Sequence, residues 1–199
     1  RPKSSAASDV YKRQNQTLEW FEQRPEKVEN LGRCSINLSG HSMGNQEFID
    51  FLLERLETSS MPCDKICLEI TETAAMRNLD QAIAFFTKVK ALGCMIALDD
   101  FGSGLSSFGY LKKLPVDIVK IDGLFVKDMD KNETDRVMVR SINDLAKQMG
   151  KVTVAEFVEN SQIIDHLLEL GVDYGQGYVI GHPKPLAQLV EELEQERSC

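Results

Sequence analysis

The chain has 199 residues, 42% of them hydrophobic and 27% charged, a composition that fits an ordinary globular protein with one full core or two small ones. Its 31 acidic residues outnumber its 23 basic ones, and the formal net charge of -8 argues against a broad duplex-nucleic-acid-binding face. A phosphate ligand stays open, because divalent metals bridge acidic side chains to phosphate oxygens. Five scattered cysteines, Cys34, Cys63, Cys67, Cys94 and Cys199, do not suit a disulfide framework, so a reducing cytoplasmic compartment is expected. Cys63 and Cys67 lack a second Cys or His pair at zinc-ligand spacing. No run approaches the length of a membrane span and no signal peptide is visible, so no membrane contact is expected in this segment.

Residues 1–14, with Ser4-Ser5-Ala6-Ala7-Ser8 and the basic Tyr11-Lys12-Arg13, carry neither helical nor strand periodicity. They resemble a translated adapter, and a foreign or disordered tail is expected there, with the folded domain over 15–199. From Thr17 to Leu31 the pattern predicts a helix or helix pair. Leu18, Trp20, Phe21, Val28 and Leu31 would be buried, and Pro25 would restart the helix.

One theme then repeats: an apolar strand ends in a polar residue and an amphipathic helix follows. Strands are predicted at Cys34 to Leu38, Ile66 to Thr71, Cys94 to Leu98, Asp117 to Ile121, Val152 to Phe157 and Tyr174 to Ile180. Helices are predicted at Gln46 to Leu56, Leu79 to Leu92, Asp135 to Met149 and Ser161 to Leu170, three of them closed by Gly93, Gly150 and Gly171. Leu105 to Leu114 holds no more than a turn or two of helix. Alternating strands and helices imply a parallel sheet covered by helices.

Where the polar residues fall decides between an open sheet and a barrel. Asn37, Glu69, Asp99 with Asp100, Lys120 with Asp122, and Glu156 lie at the C-terminal ends of five different strands, and Gln176 lies on a sixth. An open doubly wound sheet gathers its site at one crevice, whereas convergence from many strands is the habit of a (β/α)8 barrel. The expected fold is therefore a TIM-type (β/α)8 barrel. Only about six strands are readable where a barrel needs eight, so it is expected to be incomplete at the N-terminus, with the first strand missing.

Asn37, Glu69, Asp99, Asp100 and Glu156 form an all-oxygen set that suits Mg2+, Mn2+ or Ca2+. By period-two alternation Glu69 and Thr71 share one face of their strand, Leu68 and Ile70 the other. Glu72 falls just past the strand, placed to accept hydrogen bonds from the loop Phe101-Gly102-Ser103-Gly104 rather than to bind metal. Lys120 supplies one cation among four carboxylates, either as a compensating ion pair or as a group that orients a water and offsets developing phosphorane charge. Two metals sharing carboxylates and activating a bridging water would use such a set. His41, His166 and His182 stand apart from any nucleophile motif, and Gly102-Ser103-Gly104 lacks the lysine of a phosphate-binding P-loop. Phe85, Phe86 and Val89 read as core.

Asn37-Leu38-Ser39, Glu69-Ile70-Thr71-Glu72, Asp99-Asp100-Phe101-Gly102-Ser103-Gly104, Lys120-Ile121-Asp122, Ala155-Glu156-Phe157-Val158-Glu159 and Gln176-Gly177-Tyr178 resemble, in order, the signatures of the EAL domain. These are bacterial phosphodiesterases that open cyclic di-GMP to linear pGpG. The resemblance runs from about Thr17 to Leu186 and is strongest to the EAL halves of GGDEF-EAL signalling proteins. It implies Mg2+ or Mn2+, two ions, held by Asn37, Glu69, Asp99, Asp100 and Glu156. Lys120 would hold the attacking water, so Lys120, Glu156 and Asp99 form the implied catalytic group. Gln176 would place water or substrate, Asp122 would lie near the second metal or the substrate, Glu72 would anchor a flap from Phe101 to Ser107, and Glu159 would support the rim. The implied partners are cyclic di-GMP, a second copy of the chain near the flap, and an upstream sensory or GGDEF domain through which the longer protein could be membrane-anchored.

The Glu-Ala-Leu motif that names the family, with its following arginine, is absent from 1–33. In the family that glutamate binds metal and that arginine binds substrate phosphate. Truncation is the expected reason, which makes this fragment on its own a doubtful catalyst. The alternative is a module that senses cyclic di-GMP, or binds a protein, without turnover.

Overall fold

Six short parallel strands lie side by side in chain order: β1 (Cys34–Leu38), β2 (Ile66–Thr71), β3 (Met95–Phe101), β4 (Ile118–Ile121), β5 (Val152–Ala155) and β6 (Tyr174–Gly175). The computed structural model describes residues 5–29, 31–104 and 108–197. Among the described residues ten α-helices accompany the sheet: α1 (Ser5–Glu22), α2 (Pro25–Glu29), α3 (Gly40–Met43), α4 (Gln46–Thr58), α5 (Glu72–Arg77), α6 (Leu79–Ala91), α7 (Gly123–Val126), α8 (Glu133–Gln148), α9 (Ser161–Leu170) and α10 (Leu186–Arg197). Sequential parallel pairing with helical crossovers is the construction of a (β/α) barrel wall, here of six strands rather than eight. Among the described residues, no helix is long and apolar enough to cross a membrane.

The two faces of the sheet have different partners, as strand alternation requires. Ile36, Leu68, Ile70, Ile96, Leu98, Val119, Ile121 and Ala155 point outward into the main core, where they meet Leu52, Leu56, Phe85, Phe86, Val89, Val139, Ile142 and Ile163 from the helices. Cys67, Ala97 and Ile118 point inward and form a smaller cluster with Met95, Val152 and Val154. Above that apolar floor the inward positions turn polar, and the site begins there.

Local chemistry fixes most element boundaries. Asparagine caps the long helices: the side chains of Asn45, Asn78, Asn132 and Asn160 accept the N–H of Phe48, Gln81, Thr134 and Ile163, respectively. Gly171 closes α9 at φ 69°, a left-handed value that costs a glycine nothing, and its N–H satisfies the carbonyls of Leu167 and Leu168. Pro25 restarts the chain as α2, with Leu18, Phe21 and Val28 buried and Trp20 and Leu31 packed at the margin.

Within the stretch 1–14, α1 begins at Ser5, and Gln14 is only 5% exposed. Ala, Lys, Arg and Gln are good helix formers without any apolar stripe, so a periodicity argument passes over them. Two expectations need correction. β3 was expected to end at Leu98. It continues to Phe101, and its register against β4 shifts between Leu98 and Phe101, where Asp100 takes a left-handed φ of 54°. β5 and β6 are shorter than their apolar runs: the second left-handed residue, Phe157 at φ 54°, takes the chain out of the ladder just after Glu156. Past Gln176, a turn at Gly177 accepts the N–H groups of Ile180 and Gly181. The flap residues 105–107 lie outside the described residues, as does Cys199.

Candidate functional site

Lys120, third residue of β4, points inward and is 4% exposed. A buried ammonium needs carboxylates, and three strands deliver them to it. Its Nζ lies 3.1 Å from Glu69 Oε2 on β2, 2.8 Å from Asp99 Oδ1 on β3 and 2.8 Å from Glu156 Oε1 just past β5. Burial by itself would lower the lysine pKa, but Asp99, Glu156 and Glu69 more than reverse this and raise it, so the ammonium stays charged. Burial pushes the Glu156 carboxyl up, while Lys120 partly offsets the push.

Asp100 shares the next position with Asp99 but points elsewhere, because the left-handed backbone at Asp100 breaks the strand alternation. Burial, then the charges of Asp99 and Asp122, raise its pKa. One carboxylate oxygen from each of Asp99, Asp100 and Glu156 lies within 4.8 Å of the other two. Asp99 Oδ1 is buried, with the Lys120 ammonium 2.8 Å away. Three converging carboxylate oxygens fit a hard divalent cation such as Mg2+, Mn2+ or Ca2+.

The other predicted residues take distinct places around this centre. Glu69 reaches the cluster through Lys120, and Asn37 sits beside it in the β1–β2 register. Glu72, at the first turn of α5 and 2% exposed, accepts the Gly102 N–H at 2.9 Å and the Tyr110 hydroxyl. It thus holds Gly102 and Tyr110 on one carboxylate. Asp122 caps α7 by accepting the Leu124 N–H at 2.8 Å, and its charge reaches Asp100. Gln176 and Glu159 line a cleft of about 160 Å³ together with Glu156, Phe157, Gly177 and Tyr178. A wider cavity of about 570 Å³ opens on the concave face of the sheet, with Glu69 and Lys120 in its wall and Arg33 and Tyr174 at its margin. Another cleft, of about 490 Å³ and lined by Phe21, Val28 and Met61, contains none of these site residues.

Sequence reasoning passed over two supporting residues. Gln14 donates to the Asn37 carbonyl at 3.0 Å and so holds the C-terminal end of β1. It was set aside with the tail, and only its single polar side chain among helix formers could have marked it. Tyr110 holds Glu72 from the far side of the flap. A lone tyrosine in a glycine-rich loop carried no signal of that partner.

Comparison with known proteins gives a consistent answer. Residues 12–183 match the family model described as the EAL domain. Over 160 residues the chain is 48% identical to the cyclic di-GMP phosphodiesterase PdeB of Shewanella oneidensis, covering 80% of this chain and 19% of that protein. It is 43% identical over 152 residues to the cyclic di-GMP phosphodiesterase PdeA of Borreliella burgdorferi, covering 76% of this chain and 23% of that one. The chain thus spans about a fifth of the length of these curated relatives. Among solved structures, the EAL domain of Mycobacterium smegmatis DcpA superposes with a TM-score of 0.88 at 28% identity, covering 96% of this chain and 86% of that one. The PaMucR phosphodiesterase in complex with c-di-GMP superposes with a TM-score of 0.82 at 28% identity, covering 94% and 77%.

Proposed function

The chain belongs to the EAL domain family, and from that premise we propose that it is the greater part of a metal-dependent phosphodiesterase domain that opens cyclic di-GMP to linear pGpG. The observation that carries this reading is the convergence of Asp99, Asp100 and Glu156 oxygens within 4.8 Å beside the Lys120 ammonium. Mg2+ or Mn2+, as two ions, would supply Lewis acidity to the phosphate and lower the pKa of a bound water.

The chain's own residues do the rest. Asp99, Asp100 and Glu156, with Glu69 and Asn37 beside them, would hold the cations. Lys120 pairs with Glu69, Asp99 and Glu156 and would donate a hydrogen bond to the attacking water, orienting it toward phosphorus. The water oxygen would form the new P–O bond as the P–O3′ bond breaks, and the proton the water loses would end on the leaving 3′ oxygen. Gln176 and Asp122 orient the nucleotide from the two sides, Glu159 supports the rim, and Glu72 holds the flap in place over the reacting phosphate. We read residues 15–199 as the partial domain, within a longer cytoplasmic-facing signalling protein whose upstream segments supply the remaining strands and the sensory or GGDEF input. A dimer formed near the flap belongs to the same reading.

The test is turnover. The 199-residue chain and its upstream-extended form are incubated with cyclic di-GMP and Mg2+ or Mn2+, and pGpG is followed by chromatography. The extended form is expected to make pGpG and its Glu156→Gln variant to make none. Binding of the nucleotide without product under either metal would replace the enzyme with a sensor.

A further inference from the structure

Phe157 is placed at odds with its own chemistry. It adopts φ 54°, a backbone conformation that a bulky L-residue rarely takes, and the residue is 57% exposed. Neither feature stabilises the fold, and strain of this kind persists where the site uses it. The ring is nevertheless seated. It lies against the bare backbone of Gly123, where a Cβ would come within 2.0 Å of Phe157 Cδ2. Its exposed side faces the cleft with Glu156, Glu159, Gln176 and Tyr178, next to the carboxylate cluster. A flat apolar wall, with an amide and a carboxylate at its edge and cations for phosphate adjacent, matches one chemical class. That class is a planar nucleobase whose N–H groups meet Glu159 or Gln176 while its phosphate sits on the metals.

We infer that Phe157 is a specificity residue that stacks a nucleobase of the substrate, with its ring held in place by Gly123. The inference rests on the phosphodiesterase reading, because the base must belong to the nucleotide whose phosphate is cleaved. The left-handed turn serves it by re-aiming the side chain directly after Glu156, so that metal ligand and stacking wall come from consecutive residues.

The test measures cyclic di-GMP and Mn2+ binding separately by calorimetry, on the 199-residue chain and its upstream-extended form. Phe157→Gly suits the left-handed backbone and keeps the fold. It is expected to bind the nucleotide roughly tenfold more weakly, as loss of one aromatic stack does, with Mn2+ binding unchanged. Phe157→Trp is expected to keep the parent affinity, and its emission to be quenched on nucleotide binding. The chain has a single native tryptophan, Trp20 on α1, so the parent protein serves as the blank. Parent-like nucleotide affinity in Phe157→Gly, or unquenched emission in Phe157→Trp at saturation, overturns the stacking role while leaving the phosphodiesterase reading intact. Equal loss of Mn2+ and nucleotide binding in Phe157→Gly would make the residue structural and also overturns it. A parent protein that binds Mn2+ but no cyclic di-GMP overturns both readings together.

Discussion

Lys120→Met tests the electrostatic heart of the site without adding charge or much volume. The substitution leaves Glu69, Asp99 and Glu156 facing one another with side chains 9%, 14% and 10% exposed and no cation between them. Removing one partner of a buried ion pair costs about 3–5 kcal/mol. The lower end applies here because the cluster opens onto a cavity that water can enter. Against a domain stability of about 5–15 kcal/mol, a loss of about 3 kcal/mol is large but survivable. With a urea m-value of about 2 kcal/mol/M, the unfolding midpoint should fall by about 1.5 M in chelator. Divalent metal should then restore much of the loss, since a ligand at a hundred times its Kd contributes about 2.7 kcal/mol. The variant should gain more from metal than the parent, whose lysine already supplies part of the charge. Urea titrations followed by far-UV circular dichroism, with chelator and with excess Mg2+ or Mn2+, read both effects. Equal midpoints for parent and variant in chelator would refute the picture of a lysine holding the carboxylates together.

Glu72→Gln removes the charge that accepts from Gly102 and Tyr110, at a cost of about 1–2 kcal/mol. Faster hydrogen exchange confined to the segment around Gly102 should report it, together with reduced phosphodiesterase turnover. Gly123→Ala places a methyl where Phe157 Cδ2 lies 2.0 Å away, so the ring must leave its seat. A loss of about 1–3 kcal/mol is expected, despite the better helix propensity of alanine, and thermal melts of Gly123→Ala with and without Phe157→Gly should show the cost vanish in the double variant. Hydrogen bonds from Arg55 hold the Glu22 carboxyl at about 2, below its ordinary 4.5. The unfolded chain therefore takes up the proton first as pH falls. The pair's contribution is full above about pH 4.5 and is lost on the way down to about 2. Glu22→Gln should flatten that part of an acid-denaturation curve and leave the neutral part parallel.

The strands were readable because burial on both faces writes continuous apolar runs such as Met95 to Leu98, and helix ends because asparagine and glycine mark them. The site residues were readable for a related reason: an acid or lysine directly after an apolar run can only face the end of the sheet. Backbone departures within those runs left no such mark. Asp100 and Phe157 both take left-handed conformations that their side chains disfavour, and these two residues decide where β3 shifts register and where β5 stops. Short helices such as α5 and α7 were invisible for lack of length. Each is one turn or two, started by a cap, Thr71 or Asp122, that also reads as the end of a strand. Gln14 and Tyr110 act through partners distant in sequence, Asn37 and Glu72, and no local pattern encodes such a pairing.

The end of the sheet remote from the site explains how the site can be built from short strands. Asp117, just before β4, accepts the Ile96 N–H at 2.9 Å and pairs with Lys90 from α6. Asp173, just before β6, accepts the Thr153 N–H at 2.8 Å and lies 3.6 Å from Lys147 of α8. The same device thus occurs twice: a carboxylate at the start of one strand clamps the start of its neighbour and the helix that leads into that neighbour. The clamped strands are β3 and β5, which carry Asp99 and lead into Glu156. A slip of one residue in either would turn its carboxylate from the inner face to the outer, where the helices pack, and would leave Lys120 with a partner missing. Two to four ladder positions per strand pair from β3 to β6 specify register weakly, so pinning by a charged group near the N-terminal end supplies what strand length does not. The geometry of the carboxylate cluster at one end of the sheet therefore depends on two aspartates at the other end, neither of which touches it.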